Sequence, residues 1–268
     1  MVNKDDLIEG FKQVGLKPGM NIMVHSSLSK FGHVDGGADT IIDALMEVIS
    51  EEGTLLFPTF NHDACYKKGE LFDVRTTPST NGIIPNTFLS KDGVIRSNSP
   101  THAFAAWGKN KEKYILNHEN VDTMGIGSPL DLLMKDDGYC LLLGVNYHAN
   151  TFHHCVEMLE NAHCIGKKTE LYPMITRDGE KKEIYNWGWR ERKCPINDDT
   201  LYSSKMSSID SQVKIGEATV TLYKLSEGYK IIAQTMKQGI DGFPSCQNCP
   251  IMPRVSTYTI KNRVGETK

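Results

Sequence analysis

The stretch YCLLLGVNYHANTFHHCVEMLENA occupies residues 139–162 and decides the fold. Tyr139 to Val145 is an almost uninterrupted apolar run, which is typical of a strand buried on both faces of a parallel sheet. Thr151 to Ala162 is predicted to form the helix that follows this strand. A strand followed directly by a helix indicates an α/β protein.

Further strands and helices alternate before this unit. We predict strands at Asn21 to Val24, Thr54 to Phe60, Gly93 to Ser97 and Ala103 to Trp107. Asp39 is the expected N-cap of a helix between the first two strands, and Ser128-Pro129 is expected to begin a later helix, because a hydroxyl caps it and proline suits its first turn. This order predicts a mainly parallel central sheet that is flanked by helices.

The C-terminal part has a different pattern. Two short segments, Leu171 to Thr176 and Lys181 to Asn186, flank the sequence Arg-Asp-Gly-Glu, which predicts a β-hairpin. A strand from Ala218 to Tyr223 and a helix over about 226–238 are expected to follow. We interpret residues 1–268 as a single domain, with a long loop over about 61–81 and a hairpin and helix part over about 166–268.

Composition and charge exclude several classes of protein. The 268 residues include 30 basic and 33 acidic side chains, so bulk positive charge does not favour a nucleic-acid partner. We see no apolar run of about 18 residues and no apolar segment near the N-terminus, and we expect a soluble protein of the cytoplasm, without a membrane partner. Seven scattered cysteines fit free thiols in a reducing compartment.

The segment HSSLSKFG, residues 25–32, follows the first predicted strand and is the first candidate site. Ligands of parallel α/β sheets gather at the carboxyl ends of strands. Hydroxyls, turn amides and Lys30 could hold a phosphate or pyrophosphate there. An ordinary solvated turn explains the same residues equally well.

The segment TFHHCVE, residues 151–157, is the second candidate site. His154 and Glu157 are three residues apart, so both can face one cleft, and a carboxylate beside an imidazole orients it and increases its basicity. His153 could instead pair with Glu157 at a spacing of four. The residues alone leave both pairs open, and a packed polar histidine is the alternative to either; because HExxH spacing is absent, we expect no metal.

Two further features, a CxxC motif and a group of acidic residues, are weaker signals of function. The single CxxC motif of Cys246 and Cys249 predicts two free thiols, with a zinc site as the alternative if Cys194, His163 or Cys164 supplied further ligands. Acidic residues of the long loop, Asp63, Glu70 and Asp73, could form a negative patch near the cleft with Glu157. Such a patch suits a polycationic ligand, although a solvated loop explains it too.

Six segments in order give the chain a specific resemblance. They are VHSSLSKFGHVDGGADTIIDAL at 24–45, GTLLFPTF at 53–60, DVRTTPSTNGIIPNTF at 73–88, IRSNSPTHAFAAWG at 95–108, GIGSPLDLL at 125–133 and LLLGVNYHANTFHHCVEMLENA at 141–162. Over most of residues 20–165 the sequence resembles the aminoglycoside 3-N-acetyltransferase family, whose antibiotic N-acetyltransferase fold differs from the GNAT fold. The last hundred residues match more loosely.

The resemblance implies transfer of an acetyl group from acetyl-CoA to the 3-amino group of a 2-deoxystreptamine antibiotic. The family motif Thr-x-x-His-x-x-Glu falls on Thr151, His154 and Glu157, which implies His154 as the general base. Asp73 and Glu157 would lie near the ammonium groups of the aminoglycoside. The residues implied to bind coenzyme A are Ser26, Ser27, Leu28, Ser29 and Lys30, with Arg96, Ser97 and His102 lining the same channel.

Two alternatives to this function stay open. The chain could transfer an acyl group from coenzyme A to a different amine, or it could bind coenzyme A or an aminoglycoside without turnover. We expect direct transfer in a ternary complex, because no cysteine or serine has the setting of a nucleophile beside a base. Neither reading requires a metal, and a homodimer is left open.

Overall fold

The computed structural model describes residues 1–62, 69–160, 171–185 and 200–237. The described strands are β1 (Asn21–Ser26), β2 (Thr54–Pro58), β3 (Phe72–Asp73), β4 (Ile95–Arg96), β5 (Phe104–Gly108), β6 (Tyr139–Leu143), β7 (Leu171–Ile175), β8 (Lys181–Tyr185), β9 (Ser211–Ile215) and β10 (Ala218–Lys224). Seven of them form one sheet in the order β4-β5-β2-β1-β6-β10-β9, and the other three form a small sheet in the order β3-β7-β8.

The centre of the large sheet is parallel. Strand β1 lies between β2 and β6 and runs parallel to both. The four outer pairings are antiparallel, so β5 and β10 run opposite to their neighbours. The other five strands all run in the same direction: β1, β2, β4, β6 and β9. The mainly parallel sheet predicted from the sequence is therefore confirmed, with β5 and β10 as the two reversed strands.

Eight α-helices are present in the described ranges. They are α1 (Lys4–Val14), α2 (Gly37–Ile49), α3 (Ile83–Leu89), α4 (Lys111–Ile115), α5 (Pro129–Lys135), α6 (Phe152–Leu159), α7 (Thr200–Met206) and α8 (Leu225–Lys237). None of them is long and apolar enough to cross a bilayer.

The helix starts confirm one predicted cap and correct another. The Ser128 side chain accepts a hydrogen bond from the Asp131 backbone at the start of α5, as its sequence predicts. The expectation that Asp39 caps α2 is wrong: the N-cap is Gly36, three residues earlier, and the helix begins at Gly37. Gly36 adopts a left-handed conformation (φ 71°) that lets the chain turn directly into the helix, so Asp39 lies within the first turn, where the helix dipole favours its charge.

Helices cover both faces of the large sheet. Consecutive side chains of a strand point to opposite faces, and β1 shows this directly. Ile22 and Val24 pack with the core formed by α1, α2 and α3, whereas Met23 packs with the core formed by α4 to α8. The large sheet is thus the middle of three layers.

The predicted hairpin is confirmed at β7 and β8, which pair antiparallel. Its turn contains Gly179 at φ 85°, a conformation that glycine adopts without steric cost. Strand β3 pairs parallel with β7, so part of the predicted long loop belongs to this small sheet. Residues 63–68 of that loop, including Asp63, lie outside the described residues, as do Cys194, Cys246 and Cys249.

The carboxyl ends of β1 and β6 are joined through Gly144. The Ser27 backbone donates a hydrogen bond to the carbonyl of Leu143, and the chain then forms one 3₁₀ turn at Leu28–Phe31. Gly144 has φ 66°, and a Cβ atom there would lie 2.6 Å from Cβ of Lys30. The absent side chain therefore lets the two loops pack closely.

We predict that Gly144→Ala destabilises the protein more than an alanine substitution at a glycine that has a positive φ but no close neighbour. Gly19→Ala is the matched control, since Gly19 also has a positive φ (83°) but no atom within 4 Å of the added Cβ. The control should lower the free energy of unfolding by about 1–2 kcal/mol. Gly144→Ala should cost about 1–3 kcal/mol more, because it overpacks the junction. Urea unfolding measures both, and equal losses would contradict the close packing.

Candidate active site

The loops after β1 and β6 meet at one edge of the large sheet. The chain leaves β1 for α2 and then β2 on one side, whereas β6 lies on the other side of β1. In open α/β sheets a crevice forms at such a reversal of strand order, outside the carboxyl ends of the strands. Both candidate segments of the sequence, residues 25–32 and 151–157, lie at this edge.

His25 connects the two loops. Its Nε2 atom accepts a hydrogen bond from the Thr151 backbone at 3.2 Å and lies 3.1 Å from the Thr151 hydroxyl oxygen. Burial lowers the pKa of His25 to about 3, so the ring is neutral at pH 7. A neutral ring with an accepting Nε2 carries its proton on Nδ1. His25 therefore acts as an acceptor that fixes the residue preceding α6.

His154 and Glu157 form a close pair on α6. The Nδ1 atom of His154 lies 2.7 Å from Oε2 of Glu157. The carboxylate has no exposed surface, whereas 40% of the His154 side chain is exposed. The carboxylate favours the ring form with a proton on Nδ1, which leaves Nε2 as a base on the accessible side. This is one of the two pairs that the spacing allows.

His153 also contacts the same carboxylate. Its Nε2 atom lies 3.4 Å from Oε1 of Glu157, and its side chain is buried. The structure therefore brings both candidate pairs together on one carboxylate. Exposure distinguishes them, because only His154 presents a substantial part of its ring to solvent.

A cavity of about 400 Å³ opens beside this loop junction, and we name it the His25 cavity. Its lining residues are Val24, His25, Ser26, Pro58, Phe60, His62, Asn81, Pro85, His148, Ala149 and Thr151. The hydroxyl of Ser26 is buried and has no hydrogen-bond partner among the residues that the structure describes. A buried hydroxyl costs free energy unless it is hydrogen-bonded, so the lining of this cavity suits a ligand with a polar atom.

A second cavity of about 580 Å³ lies on the other side of the 3₁₀ turn, and we name it the Lys30 cavity. Lys30, Asn146, Glu217 and Thr219 are among its lining residues. Ser26 and Lys30, which the sequence groups in one binding loop, thus face different cavities. Ser27 and Ser29 lie between them with their hydroxyls 3.3 Å apart, and Leu28 packs against the core beneath the turn.

Arg96 and Ser97 do not line either cavity. The Arg96 guanidinium donates to the carbonyls of Thr77 and Thr59, each at 2.5 Å, and lies over the ring of Phe72. Ser97 is fully buried, and its hydroxyl accepts from the Phe104 backbone. Internal groups therefore bond to polar atoms that were expected to face coenzyme A, and the place of both residues in that channel stays a prediction.

The remaining predicted residues are also placed. His102 is buried against the ring of Phe60. Its pKa is held well below the usual value, mainly by burial and then by the charges of three other histidines, His62, His154 and His118. Asp73 receives two side-chain hydrogen bonds from Arg75, at 2.9 and 3.0 Å. This guanidinium lowers the pKa of Asp73 and neutralises much of its charge.

Several residues at this edge were missed by sequence reasoning. His62, Asn81 and His148 line the His25 cavity, but they lie in polar segments where no periodicity marks them. His25 carried a usable signal, since a histidine within the apolar end of a buried strand needs a specific partner. In the part of the chain that the structure describes, no cluster of three potential metal ligands occurs.

An exposed imidazole held by a buried carboxylate, at the crevice of an open α/β sheet, defines a candidate proton-transfer enzyme. The chain belongs to the aminoglycoside 3-N-acetyltransferase family, because the model of that family matches residues 23–237. This match confirms the family that the six ordered segments indicated.

Two curated relatives and one solved structure agree with this assignment. The SPbeta prophage-derived aminoglycoside N(3')-acetyltransferase-like protein YokD of Bacillus subtilis (strain 168) is 37% identical over 58% of this chain and 64% of its own length. Aminoglycoside N(3)-acetyltransferase VII of Streptomyces paromomycinus is 31% identical over 67% and 68% of the two chains. The chain therefore spans slightly less than two thirds of the first relative.

The solved structure described as AAC-IIIb binary with CoASH superimposes with a TM-score of 0.79. The match covers 91% of this chain and 98% of that chain, at 24% sequence identity. Such a likeness establishes the fold, which is that of the antibiotic N-acetyltransferases and not that of the GNAT enzymes.

We predict that acid destabilises this protein in part through His25. Its pKa in the folded state is about 3, below the value near 6.5 of an exposed histidine, so the unfolded chain binds more protons between these pH values. Stability is therefore fully present above pH 6.5 and falls as the pH decreases toward 3, by at most about 1.4 kcal/mol per pH unit for this residue.

Denaturant unfolding from pH 7 to pH 4 measures this effect. His25→Gln removes the titrating group, and its stability should depend less steeply on pH than that of the wild type. His33→Gln is the matched control, because His33 is exposed. A slope that is the same for the wild type and the His25 variant would contradict a neutral, buried His25.

Proposed function

We propose that this protein transfers the acetyl group of acetyl-CoA to the 3-amino group of a 2-deoxystreptamine aminoglycoside, with His154 as the general base. The observation that carries the proposal is the 2.7 Å contact between His154 Nδ1 and Glu157 Oε2, in a chain that belongs to this family. The names of the relatives and the CoASH complex of a protein with the same fold support the two substrates.

The proposed mechanism gives a role to each residue of the pair. The amine attacks the carbonyl carbon of the thioester as Nε2 of His154 removes a proton from it. Glu157 stabilises the imidazolium that forms, through the contact at Nδ1. The C–S bond then breaks, the thiolate of coenzyme A leaves and takes up a proton, and an amide remains. Backbone N–H groups near Ser26 to Leu28 are the candidates for stabilising the oxyanion.

The His25 cavity is the proposed place for the acetyl donor; His154 is not among its lining residues, and Thr151 connects the two. Thr151 lines this cavity and lies one helical turn before His154, so both are on one face of the chain entering α6. The buried Ser26 hydroxyl supplies a polar partner for the donor. Lys30, exposed above the Lys30 cavity, supplies a cation for its phosphates.

One observation favours the alternative acceptor, a different amine. The carboxylate of Asp73, which the family resemblance assigns to aminoglycoside ammonium groups, is already paired with Arg75. An acceptor with several ammonium groups must compete with this guanidinium, whereas an acceptor with a single amine needs no contact with Asp73. The choice of acceptor therefore depends on whether Asp73 exchanges its partner.

Release of the coenzyme A thiol from acetyl-CoA tests the proposal, with gentamicin, kanamycin and neomycin as separate acceptors. His154→Ala should lower kcat by roughly 10²–10⁴, since it removes the base. His33→Ala, at an exposed histidine outside both cavities, should keep wild-type turnover. Near-wild-type turnover of the His154 variant would eliminate it as the base, and an absence of release with all three acceptors would contradict the aminoglycoside.

We also expect Asp73→Asn to raise the KM of an aminoglycoside on the order of tenfold with little change in kcat, because a charge-assisted contact to the substrate is lost. Arg75→Ala should lower this KM, since it frees the carboxylate. Asp92→Asn is the control at another exposed carboxyl. Steady-state kinetics decide the matter, and a KM that both changes leave unaltered would favour an acceptor that does not touch Asp73.

A further inference from the structure

The proposed reaction uses His154 and makes no use of His153, although both rings touch Glu157. Oε2 of the carboxylate lies 2.7 Å from His154 Nδ1, and Oε1 lies 3.4 Å from His153 Nε2. The carboxylate thus has one imidazole nitrogen next to each oxygen. The two rings lie edge to face, with centroids 5.6 Å apart.

The His153 ring is held from its other face by Tyr202 of α7. The two rings are stacked, with centroids 5.3 Å apart and planes inclined by 16°. The Tyr202 hydroxyl in turn donates to the carbonyl of Tyr147 at 3.4 Å, and the Tyr147 hydroxyl donates to Asp210 at 2.5 Å. The orientation of His153 is therefore fixed in part by Tyr202, a residue far later in the chain.

The burial of Glu157 makes this second contact important. A carboxylate with no exposed surface needs polar partners, and its two oxygens exchange places if nothing fixes the torsion of the side chain. His154 reaches only Oε2, so that contact alone does not prevent the carboxylate from turning. Of the two neutral tautomers of His153, the one with its proton on Nε2 carries that proton on the side of Oε1.

We infer that His153 is a positioning residue: its Nε2 atom lies against Oε1 of Glu157 at 3.4 Å, without hydrogen-bond geometry, and this contact keeps Oε2 directed at His154 Nδ1. The inference rests on the proposed function of His154 as the base. His153 has no role in removing the proton, since its ring is buried and stacked. His153 instead increases the fraction of molecules in which the His154–Glu157 pair is correctly formed.

Two substitutions of His153 distinguish the effect of its Nε2 contact from the effect of its ring stacking. His153→Phe keeps an aromatic ring to stack on Tyr202 and removes the Nε2 contact. His153→Gln loses the ring but restores an N–H group near the place of Nε2. We expect the Phe variant to lower kcat about tenfold with KM changed less than twofold, and the Gln variant to recover most of the lost kcat.

A loss of packing alone would give the opposite order, with the Gln variant the more impaired of the two. Wild-type kcat in the Phe variant, or no recovery in the Gln variant, would overturn the inference. Thermal unfolding of each variant accompanies the kinetics, so that a folding defect is recognised and the comparison rests on folded protein.

The ¹⁵N chemical shifts of the His154 ring provide a readout that needs no turnover. At a pH where the ring is neutral, we expect a protonated Nδ1 in the wild type and in His153→Gln, and a mixture of both tautomers in His153→Phe. The same tautomer in all three proteins would contradict the positioning role. If the wild type releases no thiol with any acceptor, the proposed function fails while this experiment still decides the role of His153.

Discussion

The buried carboxylate of Glu157 is the constraint on which the candidate site depends. An ion without exposed surface is unfavourable unless polar groups surround it, and the alternative is to take up a proton. Glu157 has an imidazole nitrogen beside each oxygen, one from His154 and one from His153. The same contacts that make its burial tolerable also orient the exposed ring, so stability and chemistry are linked at this residue.

The large sheet sets the position of this carboxylate. Strand β6 pairs with β1 at the centre of the sheet, and the chain after β6 enters α6 through Thr151. His25, at the end of β1, accepts from the Thr151 backbone and so ties the start of the helix to the neighbouring strand. The helix that carries His154 is thereby attached to a buried pairing at the centre of the sheet.

Asn150, next to Thr151, ties the helix start to the far side of the sheet. Its side-chain oxygen accepts from the hydroxyl of Tyr223 on β10 at 2.9 Å and from the Phe152 backbone at 3.3 Å. Together with the stack of Tyr202 on His153, this contact makes the C-terminal elements part of the site. The weaker resemblance of the last hundred residues to the family therefore concerns residues that contact the start of α6 and the ring of His153.

Much of the fold could be predicted because its signals are local. The apolar run before Gly144, the Ser-Pro helix start and the Asp-Gly hairpin each specify an element from a few adjacent residues. Strand β9 and the short helices α3, α4 and α7 were not predicted, since five to seven residues carry too little periodicity. The N-cap prediction for Asp39 was wrong because an acidic residue is also favoured in the first turn of a helix, where Asp39 lies.

The candidate site was predictable in its spacing but not in its partners. The spacing alone allows both His153 and His154 to pair with Glu157, and only the family resemblance implies His154. The structure adds that the His154 ring is partly exposed, whereas the His153 ring is buried and stacked on Tyr202, a residue distant in the chain. The family resemblance implies that Arg96 and Ser97 line the coenzyme A channel, and the sequence does not show that polar atoms of both bond to internal groups.

The pH dependence of kcat/KM in Glu157→Gln, compared with the wild type, tests the central claim most directly. The substitution keeps the shape of the side chain and removes its charge, so the protonated form of the His154 ring is less favoured. The account predicts that the acid limb moves to lower pH and that the plateau falls. An acid limb at the wild-type pH with an unchanged plateau would contradict the claim that the buried carboxylate controls the base.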